Sequence, residues 1–246
     1  MKTVLFGATR GIGRQLARQM AERGDRLFLL GRDRHELEKS AADLKARDPG
    51  GRTVGFSDCD LEHPESFSPA LSAADENLSG FDSVILSAAI FATPEQLDGD
   101  PSLAQRLLEV NFTHTILFCE QARKLLLERG GGGLCVFSSV AGDRARKPTS
   151  LYGATKAGLT HYLENLDLRF RKQGLVTLCV KPGFVKTGMT EGLDVPPFAG
   201  EPDKVAADVL EAMDRGRASV YTPWIWRWIM AVITHLPRFV MRRLSF

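Results

Sequence analysis

The sequence lacks the features typical of metal-binding, disulfide-rich or nucleic-acid-binding proteins. Its four cysteines, Cys59, Cys119, Cys135 and Cys179, form no CxxC pair and have no histidine at zinc-ligand spacing. We therefore predict reduced core thiols and no metal site. Lys and Arg number 32 against 30 Asp and Glu, a net charge of +2 that provides no broad basic surface for nucleic acid. The chain begins with a strand pattern rather than a signal peptide, so we expect a cytoplasmic protein.

Short apolar runs alternate with helical patterns along the 246 residues. The runs predict strands at 3–6, 26–30, 53–56, 84–87, 134–137 and 176–180, and the apolar spacing between them predicts helices at 14–23, 35–47, 103–129 and 152–172. Alternation of this kind favours a parallel sheet. We predict an α/β protein with a single-domain Rossmann fold over 1–222, a doubly wound parallel sheet of about seven strands with helices on both faces. An amphipathic helical tail over 223–246 would follow it.

A glycine cluster follows the first predicted strand and opens the first predicted helix. Its residues are Gly7-Ala8-Thr9-Arg10-Gly11-Ile12-Gly13. Small side chains here would let backbone N–H groups and the helix dipole approach a pyrophosphate. The position inside a strand-helix-strand unit favours a dinucleotide site over a glycine turn without function.

The end of the second predicted strand bears on which dinucleotide is bound. NAD sites usually carry an acidic residue there for the ribose 2′-OH, whereas this chain reads Leu29-Leu30-Gly31-Arg32. Arg32, together with Arg10, would bind a 2′-phosphate through charge-assisted hydrogen bonds. Asp33 argues the other way, and an exposed Arg32 without a role is the alternative. We predict that NADP(H) is favoured over NAD(H).

Tyr152 and Lys156 are four residues apart in a predicted helix, which places a phenol and an ammonium on the same helix face. A free tyrosine has a pKa of about 10, and a neighbouring cation favours the phenolate. We therefore expect Lys156 to lower the pKa of Tyr152, so that Tyr152 acts as a general acid or base near neutral pH.

The chain resembles the classical short-chain dehydrogenase/reductase family over almost its whole length, in the order and spacing of Gly7, Gly11, Gly13, Asn111, Ser139, Tyr152, Lys156 and Pro182-Gly183. The resemblance implies an NAD(P)-dependent oxidoreductase that reduces a carbonyl or oxidises a secondary alcohol by hydride transfer. It implies that Ser139 binds the substrate oxygen, Tyr152 exchanges the proton, Lys156 also holds the nicotinamide ribose, and Asn111 positions a water leading to the lysine. A homo-oligomer, dimer or tetramer, is also implied.

The same resemblance implies the cofactor contacts, with residues 60–61 at the adenine and 182–187 at the nicotinamide carboxamide. The predicted cofactor-binding residues are Gly7, Thr9, Arg10, Gly11, Ile12, Gly13, Arg32, Asp60, Leu61, Ser87, Ala88, Ala89, Tyr152, Lys156, Pro182, Gly183, Val185 and Thr187.

Two positions depart from the family pattern, and one assignment is ambiguous. Phe6 replaces a threonine and Leu86-Ser87-Ala88-Ala89 replaces Asn-Asn-Ala-Gly, which implies weaker local sheet and cofactor contacts. Ser138 is next to Ser139, and strand alternation sends their side chains to opposite faces. Only one can meet Tyr152, and we choose Ser139.

From position 216 to the end the chain has no acidic residue, and arginines are interleaved with tryptophans and aliphatic residues. Thr222-Pro223 is typical of an N-cap with proline at the first helical position. Pro237 would interrupt the helix, which leaves it too short to span a bilayer. It would either lie on a membrane surface with its arginines towards anionic lipid, or pack against its own domain or a partner.

Residues 138–144, 152–159 and 235–238 resemble the keto-reductase subunits of decaprenylphosphoryl-ribose 2′-epimerases. That resemblance implies a lipid-linked keto sugar or another hydrophobic substrate, and peripheral contact with the inner face of the cell membrane. A soluble ketone, steroid or 3-oxoacyl substrate is the alternative, and a non-enzymatic dinucleotide-binding protein is a more remote one. Arg144, Arg146 and Lys147 would hold a substrate phosphate or remain solvated loop charges.

Overall fold

A parallel sheet forms the centre of the fold. The computed structural model describes residues 1–190, 192, 196 and 198–243. Within them the strands are β1 (Lys2–Phe6), β2 (Arg26–Gly31), β3 (Gly55–Asp58), β4 (Ser83–Leu86), β5 (Gly132–Phe137), β6 (Leu175–Pro182) and β7 (Ser219–Thr222). They pair in the order β3-β2-β1-β4-β5-β6-β7, all parallel. The winding direction reverses between β1 and β4, and ligands of such sheets bind at the carboxyl ends of the strands beside this point.

Helices cover both faces of the sheet. In the described residues they are α1 (Gly11–Glu22), α2 (Arg34–Arg47), α3 (Phe67–Leu78), α4 (Pro94–Gly99), α5 (Pro101–Leu108), α6 (Thr115–Glu128), α7 (Ser150–Phe170), α8 (Pro202–Asp214), α9 (Ile225–Ile233) and α10 (Arg238–Met241). Alternating strand residues divide the core. Val4 and Phe6 of β1 pack with α3, α6 and α7, whereas Leu5 packs with α1, α2 and α8. The predicted single-domain Rossmann fold with a seven-stranded parallel sheet is confirmed.

Some predicted boundaries were wrong. The long helix predicted over 103–129 is divided into α5, a π-helix at Glu109–His114 and α6. The third strand begins at Gly55 rather than at 53, and β7 was not predicted because four residues at a sheet edge carry little periodic signal. The strand predicted at 134–137 begins two residues earlier, since β5 starts at Gly132.

The tail helix packs on the same domain. One face of α9 buries Trp226, Met230 and Ile233 against Val140. The prediction that Thr222 is the N-cap of the tail helix was wrong, because Trp224 occupies that position. Thr222 ends β7, where its carbonyl accepts from the Gly183 N–H, and its hydroxyl donates to Asp208.

Pro237 interrupts the tail as predicted, because α9 ends at Ile233 and Pro237 directly precedes α10. Residues 244–246 of the predicted tail lie outside the described residues. No helix in the described part of the chain is long and apolar enough to cross a membrane.

The opposite face of the tail is exposed and apolar. We call this face the outer stripe, defined by Trp224, Trp228, Val232 and Phe239, each at least 63% exposed. The first three are spaced by four residues, so they lie on one side of α9, away from its buried face. The sequence left open whether the tail packs on its own domain or offers an apolar surface, and α9 does both.

Candidate active site

Tyr152, Lys156 and Ser139 meet at the carboxyl end of β5. Tyr152 and Lys156 are one turn apart on α7, and the Lys156 ammonium lies 5.6 Å from the centre of the Tyr152 ring. The ammonium is buried and donates to the carbonyl of Phe137, the last residue of β5, at 2.8 Å. Ser139 follows two residues later and forms a hydrogen bond with Tyr152. The structure thus brings together three of the four predicted catalytic residues.

The two neighbouring serines have different surroundings. The Ser138 hydroxyl donates to the Lys156 carbonyl at 2.9 Å and pairs with the Thr160 hydroxyl at 2.6 Å, so it is taken up by the α7 backbone and side chains. The Ser139 hydroxyl accepts from the Ala141 N–H at 3.1 Å and donates to the Pro182 carbonyl at 3.5 Å, a long contact that a substrate oxygen could replace. This geometry favours the choice of Ser139, and its role in catalysis stays a prediction.

Asn111, the fourth predicted catalytic residue, is fully buried in the π-helix between α5 and α6. Its side-chain amide donates to the Ile90 carbonyl at 2.7 Å and accepts from the Ile90 N–H at 2.9 Å. The side chain therefore anchors the loop after β4 rather than reaching Lys156. π-helical turns are frequent at functional sites, but the water relay implied for Asn111 stays a prediction.

The protonation of the pair differs from the sequence-based expectation. Burial raises the pKa of Tyr152 to about 12, and the hydrogen bond with Ser139 only partly opposes this. Burial lowers the pKa of Lys156 to about 8. The expected lowering of the Tyr152 pKa by Lys156 is not seen in the chain alone, where removal of the phenol from water has the largest effect and Lys156 is not among the causes of the shift. At neutral pH Tyr152 carries its proton and can donate it.

A cavity of about 1460 Å³ joins these residues to the glycine cluster. Every residue of the predicted cofactor-binding set lines it, from the cluster after β1, through the turns after β2, β3 and β4, to the segment after β6. Among the predicted catalytic residues, Ser139, Tyr152 and Lys156 line it and Asn111 does not. The cavity is thus long enough to bring a dinucleotide-binding region and the Tyr152 hydroxyl into one space.

The glycine cluster has the backbone geometry that a pyrophosphate needs. Gly7 has φ +97°, and a Cβ there would lie 2.7 Å from the Ser87 hydroxyl and 2.8 Å from the Ala88 nitrogen. A Cβ on Gly13 would overlap the Gly7 carbonyl. The close contacts of the backbone at these two positions therefore require glycine. No side chain caps the start of α1 at Gly11, and its first turn holds no acidic residue, so its N–H groups are available to an anion.

The two departures from the family pattern have local compensation. The Ser87 hydroxyl is 3.2 Å from the carbonyls of both Phe6 and Gly7, and so ties the turn after β4 to the glycine cluster. The Phe6 ring packs edge-on against Phe118 at 5.1 Å between centroids. Both positions therefore make contacts of their own within the fold.

The charged residues near the end of β2 differ in whether they line the cavity. The Asp33 carboxylate accepts from the Glu36 N–H at 3.1 Å and caps α2, so it is occupied outside the cavity. Arg32 and Arg10 both line the cavity. The Arg32 side chain is 62% exposed and lies 3.6 Å from the Glu62 carboxylate, a weak pairing that a bound phosphate could displace.

Sequence reasoning missed the aromatic wall of the cavity. Trp226 of α9 covers Gly183 so closely that a Cβ on this glycine would overlap the indole. Its ring lies 5.9 Å from that of Phe184 and 5.6 Å from that of Phe198. Phe91 packs edge-on against Tyr152 at 5.2 Å. The spacing of Trp226 with later apolar residues of the tail was the available signal, but it does not show which surface the helix covers.

A buried polar cluster holds the loop between Ser139 and Tyr152 in place. The Lys181 ammonium donates to Asp143 at 2.7 Å, and the Tyr221 hydroxyl donates to the other oxygen of the same carboxylate at 2.8 Å. The Arg144 guanidinium donates to the Leu236 carbonyl at 2.7 Å. Arg144 therefore ties the loop to the tail, whereas Arg146 and Lys147 line the cavity.

Comparison with known proteins identifies the family. The short chain dehydrogenase family profile matches residues 2–195. An uncharacterized oxidoreductase of Streptomyces coelicolor is 34% identical over 246 residues, covering 98% of this chain and 94% of its own. An uncharacterized oxidoreductase of Mycobacterium tuberculosis is 30% identical over 241 residues, covering 98% and 96%.

Solved structures agree on the fold. A short-chain dehydrogenase from Sphingobium yanoikuyae in complex with NADPH superposes with a TM-score of 0.82 at 24% identity, covering 96% of each chain. The present chain belongs to the short-chain dehydrogenase/reductase family and is an NAD(P)-dependent oxidoreductase. The prediction of this enzyme class is confirmed.

Proposed function

We propose that this enzyme uses NADP(H) to interconvert a carbonyl and a secondary alcohol on a hydrophobic substrate, with Tyr152 as the general acid and base. The observation that carries the proposal is the meeting of Ser139, Tyr152 and Lys156 in the wall of the cavity that also holds the glycine cluster. The cofactor, when bound, supplies or accepts the hydride.

The protein's own part is to bind the substrate oxygen and to move one proton. Ser139 donates a hydrogen bond to that oxygen, since its own acceptor site is occupied by the Ala141 N–H. Tyr152, protonated at neutral pH, gives its proton to the oxygen as the alcohol forms. Lys156, with a pKa of about 8, stabilises the developing phenolate and exchanges protons more readily than an ordinary lysine. Asn111 acts by holding the loop that carries Ile90.

The preference for NADP(H) is supported by the charges at the other end of the cavity. Arg10 and Arg32 face the region after β2, and Asp33 is engaged by α2. A guanidinium binds a phosphate through short, often bidentate, hydrogen bonds. The Sphingobium yanoikuyae relative was solved with NADPH, which agrees with this choice.

The hydrophobic character of the substrate is supported by the cavity wall. Phe91, Phe184, Trp226 and Ile229 surround the space beside Tyr152, and apolar walls of this kind bind apolar ligands. A lipid-linked keto sugar is the most specific form of this proposal. A soluble ketone, steroid or 3-oxoacyl substrate would use the same chemistry without the membrane contact described next.

Two proposals about partners accompany the activity. The outer stripe, next to Arg227 and Arg238, has the composition of a helix that lies among lipid headgroups, which supports peripheral contact with the cell membrane. Exposed leucines on α6 and α7, Leu117 and Leu168, support burial against a second copy of the chain.

Replacing Tyr152 with Phe tests the activity. We expect kcat/KM for NADPH-dependent reduction of a panel of hydrophobic ketones to fall by about 10²- to 10⁴-fold, the usual contribution of general acid catalysis. Cofactor binding, followed by the fluorescence of bound NADPH, should persist. Tyr162→Phe is the matched control, because this tyrosine is on the same helix but donates to Glu120 outside the cavity. Near-full activity of the Tyr152 variant would overturn the assigned proton path.

A further inference from the structure

The loop between Ser139 and Tyr152 places one cation inside the cavity without a partner. Arg146 is partly buried and lines the cavity, and its Nε is shielded from solvent with no hydrogen-bond acceptor among the described residues. Trp226 Nε1, in the wall of the same cavity, is buried and unpaired in the same sense. In the part of the chain that the structure describes, these are the two buried side-chain nitrogens that lack an acceptor. Buried donors left unpaired are costly, so an acceptor supplied by a ligand would stabilise both.

The neighbouring charges do not neutralise Arg146. The Asp143 carboxylate is shared by Lys181 and Tyr221, and the Arg144 guanidinium is bonded to the Leu236 carbonyl. Burial lowers the pKa of the Arg146 guanidinium below its usual range, and the more distant Asp143 only partly opposes this. A guanidinium keeps its charge in proteins, and a buried charge needs a counter-charge. Among the described residues, no carboxylate forms an ion pair with Arg146.

We infer that Arg146 binds an oxyanion carried by the substrate, a phosphate or a carboxylate, while the apolar body of the substrate lies against Phe91, Phe184 and Trp226. The inference deepens the proposed function, since it rests on the substrate entering this cavity. Arg146 follows β5, whereas the glycine cluster and Arg32, which would hold the dinucleotide phosphates, follow β1 and β2, so we assign the oxyanion to the substrate. The unpaired indole N–H of Trp226 is available as a second donor.

A direct binding experiment isolates the role of Arg146. The chain has three tryptophans, so replacing Trp224 and Trp228 with Phe leaves Trp226 as a fluorescence reporter in the cavity wall. With saturating NADP⁺ to occupy the cofactor's own phosphate sites, this protein is titrated with hexyl phosphate, hexanoate and hexanol. We expect both anions to bind at least about tenfold more tightly than the alcohol, as for a hydrogen bond to a charged group. The ratio between the two anions identifies the preferred oxyanion.

Variants of the loop decide the assignment. Arg146→Gln should remove the preference for the anions while hexanol binds as before, and Arg146→Lys should keep part of it because the charge remains. Lys172→Gln is the matched control, since it removes an exposed charge that does not line the cavity, and it should retain the preference. The inference is overturned if Arg146→Gln keeps the preference, if Lys172→Gln removes it equally, or if the parent protein binds all three probes alike.

The outcome is separate from that of the proposed activity. The proposed reductase activity is refuted if the protein fails to bind NADP⁺ or if Tyr152→Phe keeps full turnover. The role of Arg146 is refuted if the protein binds NADP⁺ but binds the charged and uncharged probes equally well. A thermal unfolding curve for Arg146→Gln shows whether the variant is folded. If it is not, the preference of the parent protein for the anions over hexanol, and its only partial retention by Arg146→Lys, decide the inference.

Discussion

Replacing Lys156 with Met should remove a rise in stability that the wild-type chain shows between pH 7 and pH 9. Burial lowers the pKa of Lys156 to about 8 in the folded chain, against 10.5 for an ordinary lysine. Between these two values the unfolded chain binds more protons than the folded chain, so the free energy of unfolding increases with pH. The penalty for burying the ammonium is therefore fully present below pH 8 and is relieved as the pH rises through that value.

The size of the effect follows from the two pKa values. Integrating the difference in bound protons from pH 7 to pH 9 gives about 1 kcal/mol of added stability in the wild-type chain. Met retains the unbranched apolar stem but leaves the Phe137 carbonyl without its donor. That loss shifts the stability of the variant by a constant amount and leaves its pH dependence unaffected. Burial raises the pKa of thiols such as Cys59 to about 12. These thiols are the same in both proteins, so their contribution cancels when the stability of the variant is subtracted from that of the wild type.

Urea unfolding of both proteins at several pH values in this range measures the difference directly, by linear extrapolation to water. The free energy of unfolding of the wild type, minus that of the variant, should grow by about 1 kcal/mol from pH 7 to pH 9. Parallel curves for the two proteins would show that Lys156 titrates as an ordinary exposed lysine. The account of Tyr152 and Lys156 as a pair governed by burial would then be refuted.

Two further predictions concern the cofactor and the tail. Arg32→Ser should raise the KM for NADPH by about tenfold or more, with little change in the KM for NADH. Arg34→Ser, which breaks a surface pair with Asp58, should change neither KM. An equal rise in both KM values for Arg32→Ser would contradict a contact with the 2′-phosphate. The wild type should pellet with anionic liposomes and Trp224→Ser/Trp228→Ser should not, whereas Leu168→Ser, at another exposed apolar position, should still pellet. Wild-type protein that stays in the supernatant would refute the membrane contact.

The parts of the site that the sequence predicts are those set by short-range geometry. Gly7 and Gly13 are forced by a tight turn, and the spacing of Tyr152 and Lys156 fixes their common face on α7. The direction of the Tyr152 pKa could not be read from that spacing, because it depends on how much of the phenol the rest of the fold removes from water.

The loop cations illustrate the same limit. Arg144 and Arg146 are two residues apart in one polar loop, yet one bonds the carbonyl of Leu236 and the other faces the cavity. Nothing in the local pattern separates them, since the contact of Arg144 spans more than ninety positions of the chain. The break of the helix predicted over 103–129 at Asn111 has a similar origin, because the π-helix is accompanied by a tertiary hydrogen bond to Ile90.

The tail helix connects the proposed substrate site with the proposed membrane contact. The buried face of α9 supplies Trp226 to the cavity wall, and its outer stripe is exposed on the other side of the same helix. A helix with its side chains is about 10 Å across, so a membrane touching the stripe would lie within one helix diameter of the cavity. An amphiphilic substrate could then place its oxyanion at Arg146 and its carbonyl at Tyr152 while its apolar chain runs out along α9. In this arrangement α9 would contribute to substrate selection, because it contacts the apolar chain between the cavity and the membrane. A soluble ketone would make the same contacts as the amphiphilic substrate inside the cavity and lack those beyond the aromatic wall.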